Sequence, residues 1–312
     1  MIAFVFPGQG SQRVGMGQAL AQTFPECRAV FEEADDALGA PLSRVCFEGP
    51  EERLRLTENT QPAILTVSVA AARLLASRGI APAMAAGHSL GEYSAHVAAG
   101  TLAFGDAVRI VRRRGRYMQE AVPVGQGAMA AILGLEGAAV AQACREAADG
   151  DVVAPANLNA PGQVVIAGTA AAVARAGERA KALGAKRVVP LPVSAPFHCA
   201  LMQPAQDRLA PELRALPVKP PSIPVVANVD AAPKTDGPSA IDALVRQVSA
   251  PVRWEEVVRT LASAGIHAYV EVGPGTVLTG LVRKIDREAR VANLEAPSDL
   301  DAVERLVAEV TA

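Results

Sequence analysis

The stretch Ala86-Gly87-His88-Ser89-Leu90-Gly91-Glu92 limits what this chain can fold into more than any other. It reads Gly-x-Ser-x-Gly between a small-residue run at 83–87, which predicts a strand, and a helical pattern opening near Leu90. A strand that turns at once into a helix is a unit of a parallel α/β sheet. Glycines flanking the serine remove side chains where the backbone must bend sharply and pack closely. Ser89 Oγ is then presented at the tip of the turn, where the free N–H groups of the first helical turn would stabilise an oxyanion. A chain with 26 glycines also meets this pentapeptide by chance, so other residues must decide between a nucleophile and an ordinary turn.

Half of the 312 residues are apolar, enough for one large core with a smaller domain beside it. The formal net charge of -2 supplies no basic field, which argues against nucleic-acid and membrane partners. Cys27, Cys46, Cys144 and Cys199 show no paired or metal-type spacing, so free thiols, no metal and a cytoplasmic location are expected. The apolar start stops at Pro7-Gly8 and reads as a first strand, not a signal peptide. No run approaches the roughly 18 apolar residues of a membrane helix.

The first strand leads into Pro7-Gly8-Gln9-Gly10-Ser11-Gln12. A dinucleotide fingerprint fails there, because its third glycine falls on Arg13. The loop nevertheless follows the carboxyl end of a predicted parallel strand, where open α/β sheets bind ligands, so Gln9 is expected to face the crevice of Ser89. A helix is predicted over 57–78. Between 127 and 191 the pattern becomes short: strand 128–133, helix 138–148, strand 152–156, a turn at Asn159-Ala160-Pro161-Gly162, strand 163–167, helix 170–183 and strand 187–191. That βαββαβ order predicts a ferredoxin-like small domain, 124–191, inserted into a discontinuous large α/β domain, 1–123 and 192–312. Beyond it, the pattern predicts helix 201–215, strand 225–229, helices 239–249 and 252–264, strands 268–272 and 291–294, and helix 300–310.

A nucleophilic serine needs a base, and only four histidines are present. His88 adjoins Ser89 and points away from it at a strand end. His96 lies about 10 Å along the helix axis from the serine. His267 opens a strand. His198, in the loop Val193-Ser194-Ala195-Pro196-Phe197-His198-Cys199, remains as the candidate, with a structural histidine as the alternative reading. No acidic residue stands out as its partner. On the helix predicted at 105–121, Ala107, Ile110, Val111, Tyr117 and Met118 make one apolar stripe with Arg114 in its middle. Burying a guanidinium is costly, so Arg114 should meet a carboxylate, of the protein or of a ligand.

Taken together these segments closely resemble the malonyl-CoA:acyl carrier protein transacylase family of bacterial fatty-acid synthesis. The likeness runs through Phe6 to Gln12, Gly87 to Glu92, Pro161 to Gly168, His198 to Met202 and Glu271 to Gly275. It implies an α/β-hydrolase-like large domain with an inserted ferredoxin-like one. By position, Ser89 matches the acylated serine, His198 its general base, and Gln9 and Leu90 the pair whose N–H groups form the oxyanion hole. Arg114 matches the arginine that binds the malonyl carboxylate, and Met118 and Phe197 are assigned with it to substrate binding. Gln247 matches the residue whose main-chain carbonyl orients the histidine; Asn157 and Asn159 match polar residues near that histidine. Phe197 stands where many free-standing relatives carry serine, although Phe-His is familiar in malonyl-selecting domains of polyketide synthases. The implied partners are a coenzyme A thioester and the phosphopantetheine thiol of acyl carrier protein, with no cofactor and a monomeric chain. The alternatives are loading of a polyketide-synthase or malonate-decarboxylase carrier, and a serine esterase or thioesterase. Arg112, Arg113, Arg116, Lys181 and Arg187 are candidates for carrier docking, or simply a solvated face.

Overall fold

The computed structural model describes residues 1–193 and 195–311; Ser194, four positions before the candidate base in sequence, lies outside them. The strands are β1 Ile2–Phe6, β2 Met84–Gly87, β3 Gly127–Leu133, β4 Val153–Ala160, β5 Gln163–Thr169, β6 Arg187–Pro190, β7 Val225–Val226, β8 Pro233–Lys234, β9 Ala268–Val272 and β10 Arg290–Leu294. They form a mixed α/β architecture of two sheets. The larger has the order β10-β9-β1-β2-β7-β8 and is parallel except for the last pair. β1 is apolar at all five positions and buried at each, as a strand covered on both faces must be. The pairings Phe6↔Gly87 and Val5↔Glu271 bring the carboxyl ends of β1, β2 and β9 together. The loops that leave them, at Pro7, His88 and Gly273, therefore share one rim of the sheet.

The smaller sheet is antiparallel with the order β4-β5-β3-β6. Helices Gly137–Ala147 and Ala170–Ala182 cover one face through Ile132, Val140, Ile166 and Val173. The opposite face contributes Met129, Ala156, Val165 and Ala167 to the core under the large sheet. β4 is also tied to the large body, because Leu158 N–H donates to Val252 O and Val252 N–H to Ala156 O, each at 2.9 Å.

Two sequence expectations change. The strand expected at 152–156 continues to Ala160, so Asn159 and Ala160 are strand residues and the turn shrinks to Pro161-Gly162. The strand expected at 225–229 stops at Val226, since the main chain of Asn228 turns to donate to Glu92 Oε2 at 3.0 Å. Helices Pro25–Leu38, Leu42–Glu48, Glu51–Arg55 and Val277–Ile285 were not anticipated. The four cysteines are buried free thiols. Among the described residues no helix is long and apolar enough to cross a membrane.

Candidate active site

The turn at Ser89 is built by close approach. A Cβ on Gly87 would collide with the main chain of Gly91, and one on Gly91 with the carbonyl of Phe6. Helix Leu90–Ala98 therefore sits directly on β1 and β2, and Ser89 adopts φ 52, ψ -105 at its head. Asn228 holds that conformation: its Oδ1 accepts the Ser89 N–H and its Nδ2 donates to Gly87 O, both at 2.7 Å. The serine's own amide is thereby engaged. The next amide, Leu90 N–H, opens the helix and has no acceptor among the described residues; Gln9 N–H, on the exposed rim loop, likewise has none.

Ser89 Oγ lies 2.7 Å from His198 Nε2, and His198 Nδ1 lies 2.9 Å from the main-chain oxygen of Gln247. A carbonyl can only accept, so Nδ1 carries the proton and Nε2 is the free acceptor facing the serine. Burial, and then the neighbouring Arg114 charge, pushes the His198 pKa down to about 3, which keeps the ring neutral near pH 7. His198 also has φ 61, a left-handed backbone like that of Ser89.

Arg114 lies in the apolar stripe of helix Phe104–Glu120 and is 1% exposed. Nη1 donates to Gln61 Oε1 at 2.8 Å; Nη2 donates to Gln247 Oε1 at 3.0 Å and to Ser89 Oγ at 3.1 Å. The Tyr93 ring centroid is 5.4 Å from its guanidinium carbon. No carboxylate among the described residues forms an ion pair with it; it is a buried cation held by amide oxygens. The other arginines of this helix face outward. Arg113 pairs with Glu212 at 2.5 Å and Arg116 with Glu120 at 3.9 Å, while Lys181 pairs with Glu178 at 2.8 Å on the small sheet's second helix.

A cavity of about 900 Å³ runs from this cluster to the rim, and Gln9, Ser89, Leu90, Arg114, Met118, Asn157, Asn159, Phe197 and His198 all line it. Met118 and Phe197 form part of its apolar wall, and Met118 Sδ lies 3.8 Å from Gln61 Nε2. The asparagines line the same cavity as His198 but do not bond to it. Asn159 Oδ1 is 2.9 Å from His88 Nε2, and no hydrogen bond joins Asn157 or Asn159 to His198 among the described residues. β4 bridges to Val252 at Asn157, and two residues on Asn159 meets His88. Sequence reasoning also missed Gln61, Glu92, Asn228 and the side chain of Gln247, all buried and all polar. For Gln61 a signal existed, since it belongs to a run of polar residues entering a helix whose later turns are almost wholly apolar. No group of three or more His, Cys, Asp or Glu suited to a metal ion occurs among the described residues.

A hydroxyl bonded to a neutral imidazole, two unengaged amides at the same cavity and a buried cation without a counter-ion make a site equipped for serine-mediated acyl transfer. The chain belongs to the acyl transferase family: the family profile described as "Acyl transferase domain" matches residues 3–298. It is 54% identical over 301 residues to the malonyl CoA-acyl carrier protein transacylase of Escherichia coli, covering 96% of this chain and 97% of that protein. The crystal structure of an acyl carrier protein S-malonyltransferase from Vibrio cholerae superposes with TM-score 0.95 at 50% identity, over 97% of this chain and 99% of that one. A malonyl-transacylase solved in complex with a type II PKS acyl-carrier protein matches with TM-score 0.95 at 48% identity, over 97% and 99%.

Proposed function

We propose that this protein transfers a malonyl group from malonyl-CoA to the phosphopantetheine thiol of an acyl carrier protein through a malonyl-Ser89 intermediate. The observation that carries this reading is Ser89 Oγ lying 2.7 Å from His198 Nε2 and 3.1 Å from Arg114 Nη2, a nucleophile shared between a base and a cation. His198 Nε2 takes the Ser89 proton as Oγ attacks the thioester carbon. The carbonyl electron pair moves to oxygen, where the Gln9 and Leu90 N–H groups receive it. Collapse breaks the C–S bond, and the proton on His198 goes to the departing thiolate. The carrier's thiol then gives its proton to His198, attacks the malonyl ester and releases Ser89, which recovers the proton.

Arg114 binds the free carboxylate of the malonyl group, replacing neutral acceptors with a charge-assisted pair, and uncharged acyl chains gain nothing there. Its charge also helps depress the His198 pKa. A carboxylate seated against it lifts part of that depression, so the base strengthens when the correct acyl group is present. Met118 and Phe197 bound the acyl pocket, and the Gln247 carbonyl orients the imidazole in place of an acid. The thioester arrives already activated, so the reaction needs no cofactor. The same reading takes 1–123 with 192–312 as an α/β-hydrolase-like domain and 124–191 as a ferredoxin-like insertion, supported by the β4-β5-β3-β6 order, and places the enzyme in the cytoplasm.

Incubation with malonyl-CoA followed by intact mass should show one malonyl adduct, lost in Ser89→Ala; an adduct that persists there rejects the nucleophile. Arg114→Ala should lower kcat/KM for malonyl-CoA about 100-fold while sparing acetyl-CoA, the loss expected when a buried charge pair loses one partner. Equal losses for both substrates would reject the carboxylate clamp.

A further inference from the structure

Glu92 stands three residues beyond the nucleophile, in the first turn of helix Leu90–Ala98, and is fully buried without an ion pair. Its Oε2 accepts two hydrogen bonds, from Gln247 Nε2 at 2.7 Å and from Asn228 N–H at 3.0 Å. We propose that Glu92 is a positioning residue that sets the polarity of the Gln247 amide and, through it, aims Arg114 at the carboxylate of the incoming acyl group. This rests on the malonyl-transfer reading above.

Glu92 Oε2 already accepts the Asn228 main-chain N–H, which can only donate, so this oxygen faces Gln247 as an acceptor and the amide must turn its NH₂ toward it. The same NH₂ then reaches Ser89 O at 2.9 Å, and the amide oxygen is left facing Arg114 Nη2 at 3.0 Å. The flipped amide would set its oxygen against the Glu92 carboxylate and the Ser89 carbonyl, and its NH₂ against a guanidinium. With the NH₂ also 3.4 Å from Asn228 Oδ1, four attractive contacts would become repulsive in a buried site, where such errors are most costly.

The interposed amide also explains how a buried acid and a buried guanidinium coexist so close to each other without forming an ion pair. Gln247 separates them, so Arg114 keeps amide oxygens as partners, Gln61 on Nη1 and Gln247 on Nη2, and its charge stays available to a ligand. The main chain of the same Gln247 accepts from the His198 ring. One residue thus links base and cation, and Glu92 fixes which way it faces.

The test compares Ser89 acylation rates with malonyl-CoA and acetyl-CoA, by quenched-flow intact mass, in the native chain, Glu92→Gln and Glu92→Met. In Glu92→Gln the amide oxygen takes the place of Oε2 and accepts the same two hydrogen bonds. It should keep the malonyl-to-acetyl ratio within about threefold, whereas Glu92→Met should lose about tenfold or more, mostly from the malonyl rate. A merely structural role would lower both rates in proportion. A folded Glu92→Met with an unchanged ratio, or a Glu92→Gln whose ratio falls about tenfold, overturns the proposal. Should Glu92→Met not fold, the Glu92→Gln ratio decides alone. Absence of any malonyl adduct in the native chain would instead overturn the malonyl-transfer reading itself.

Discussion

At the scale of single residues, the site keeps its titratable groups away from their ordinary ranges. His198 and His96 are both pushed down to about 3, with burial the largest cause in each, and burial lowers His88 as well. A base already neutral should give an acylation kcat/KM that is flat from about pH 5 to 8; an inflection near pH 6.5 would show an ordinary imidazole instead. The same shifts govern stability. An unfolded chain with ordinary histidines binds protons that the native one refuses, so their contribution is whole above about pH 6.5 and is lost as the pH falls toward 3. Glu92 acts in the opposite sense: burial pushes it up to about 7, so its contribution is whole below the ordinary carboxylate range and is lost as the pH rises through about 7. Burial raises Glu271 as well, but the three lowered imidazoles outnumber the two raised carboxyls, so the thermal midpoint should be lower at about pH 5 than at about pH 7. A midpoint that rises on acidification would contradict this. Ser89, His198 and Arg114 were legible because a local motif, elimination and helical periodicity each operate on the sequence alone. Asn228 and Glu92 were not, since Asn228 lies 139 residues from the serine it holds and 136 from the carboxylate it meets. Nothing local marks either as polar and buried.

At the scale of elements, long apolar segments were readable and short amphipathic ones were not. Helix Thr57–Ser77 is apolar on nearly every side and was found within a residue or so, whereas Glu51–Arg55 is only five residues long and carries no period to detect. β4 was cut short because Asn159 reads as a turn former until its side chain is seen engaged by His88. The pairing of helices Thr57–Ser77 and Phe104–Glu120 fixes the distance from Gln61 to Arg114, and Gly115 lies at the contact. A Cβ there would stand 2.5 Å from Thr57 O, against rigid backbone. Gly115→Ala should therefore cost about 1–3 kcal/mol in denaturant unfolding and lower malonyl turnover, because the helices must part beside Arg114. Native stability and turnover in that variant would show that the contact relaxes freely.

At the scale of the whole molecule, the two sheets share a core instead of being joined by a tether. Met129, Ala156, Val165 and Ala167 on the small sheet pack into the large body, and two main-chain hydrogen bonds cross at Val252. Calorimetry should accordingly show a single unfolding transition; two separated transitions would mean that the sheets melt independently. The order of the large sheet has a further consequence, for how the chain is made. β1 precedes every other strand of the large sheet in the chain, yet one of its flanking strands is β9, Ala268–Val272. The growing polypeptide must therefore carry the apolar sequence IAFVF with one edge unpaired until Ala268–Val272 has been translated. The nascent chain is thus obliged to shield that open strand edge, or to have it shielded, until β9 arrives.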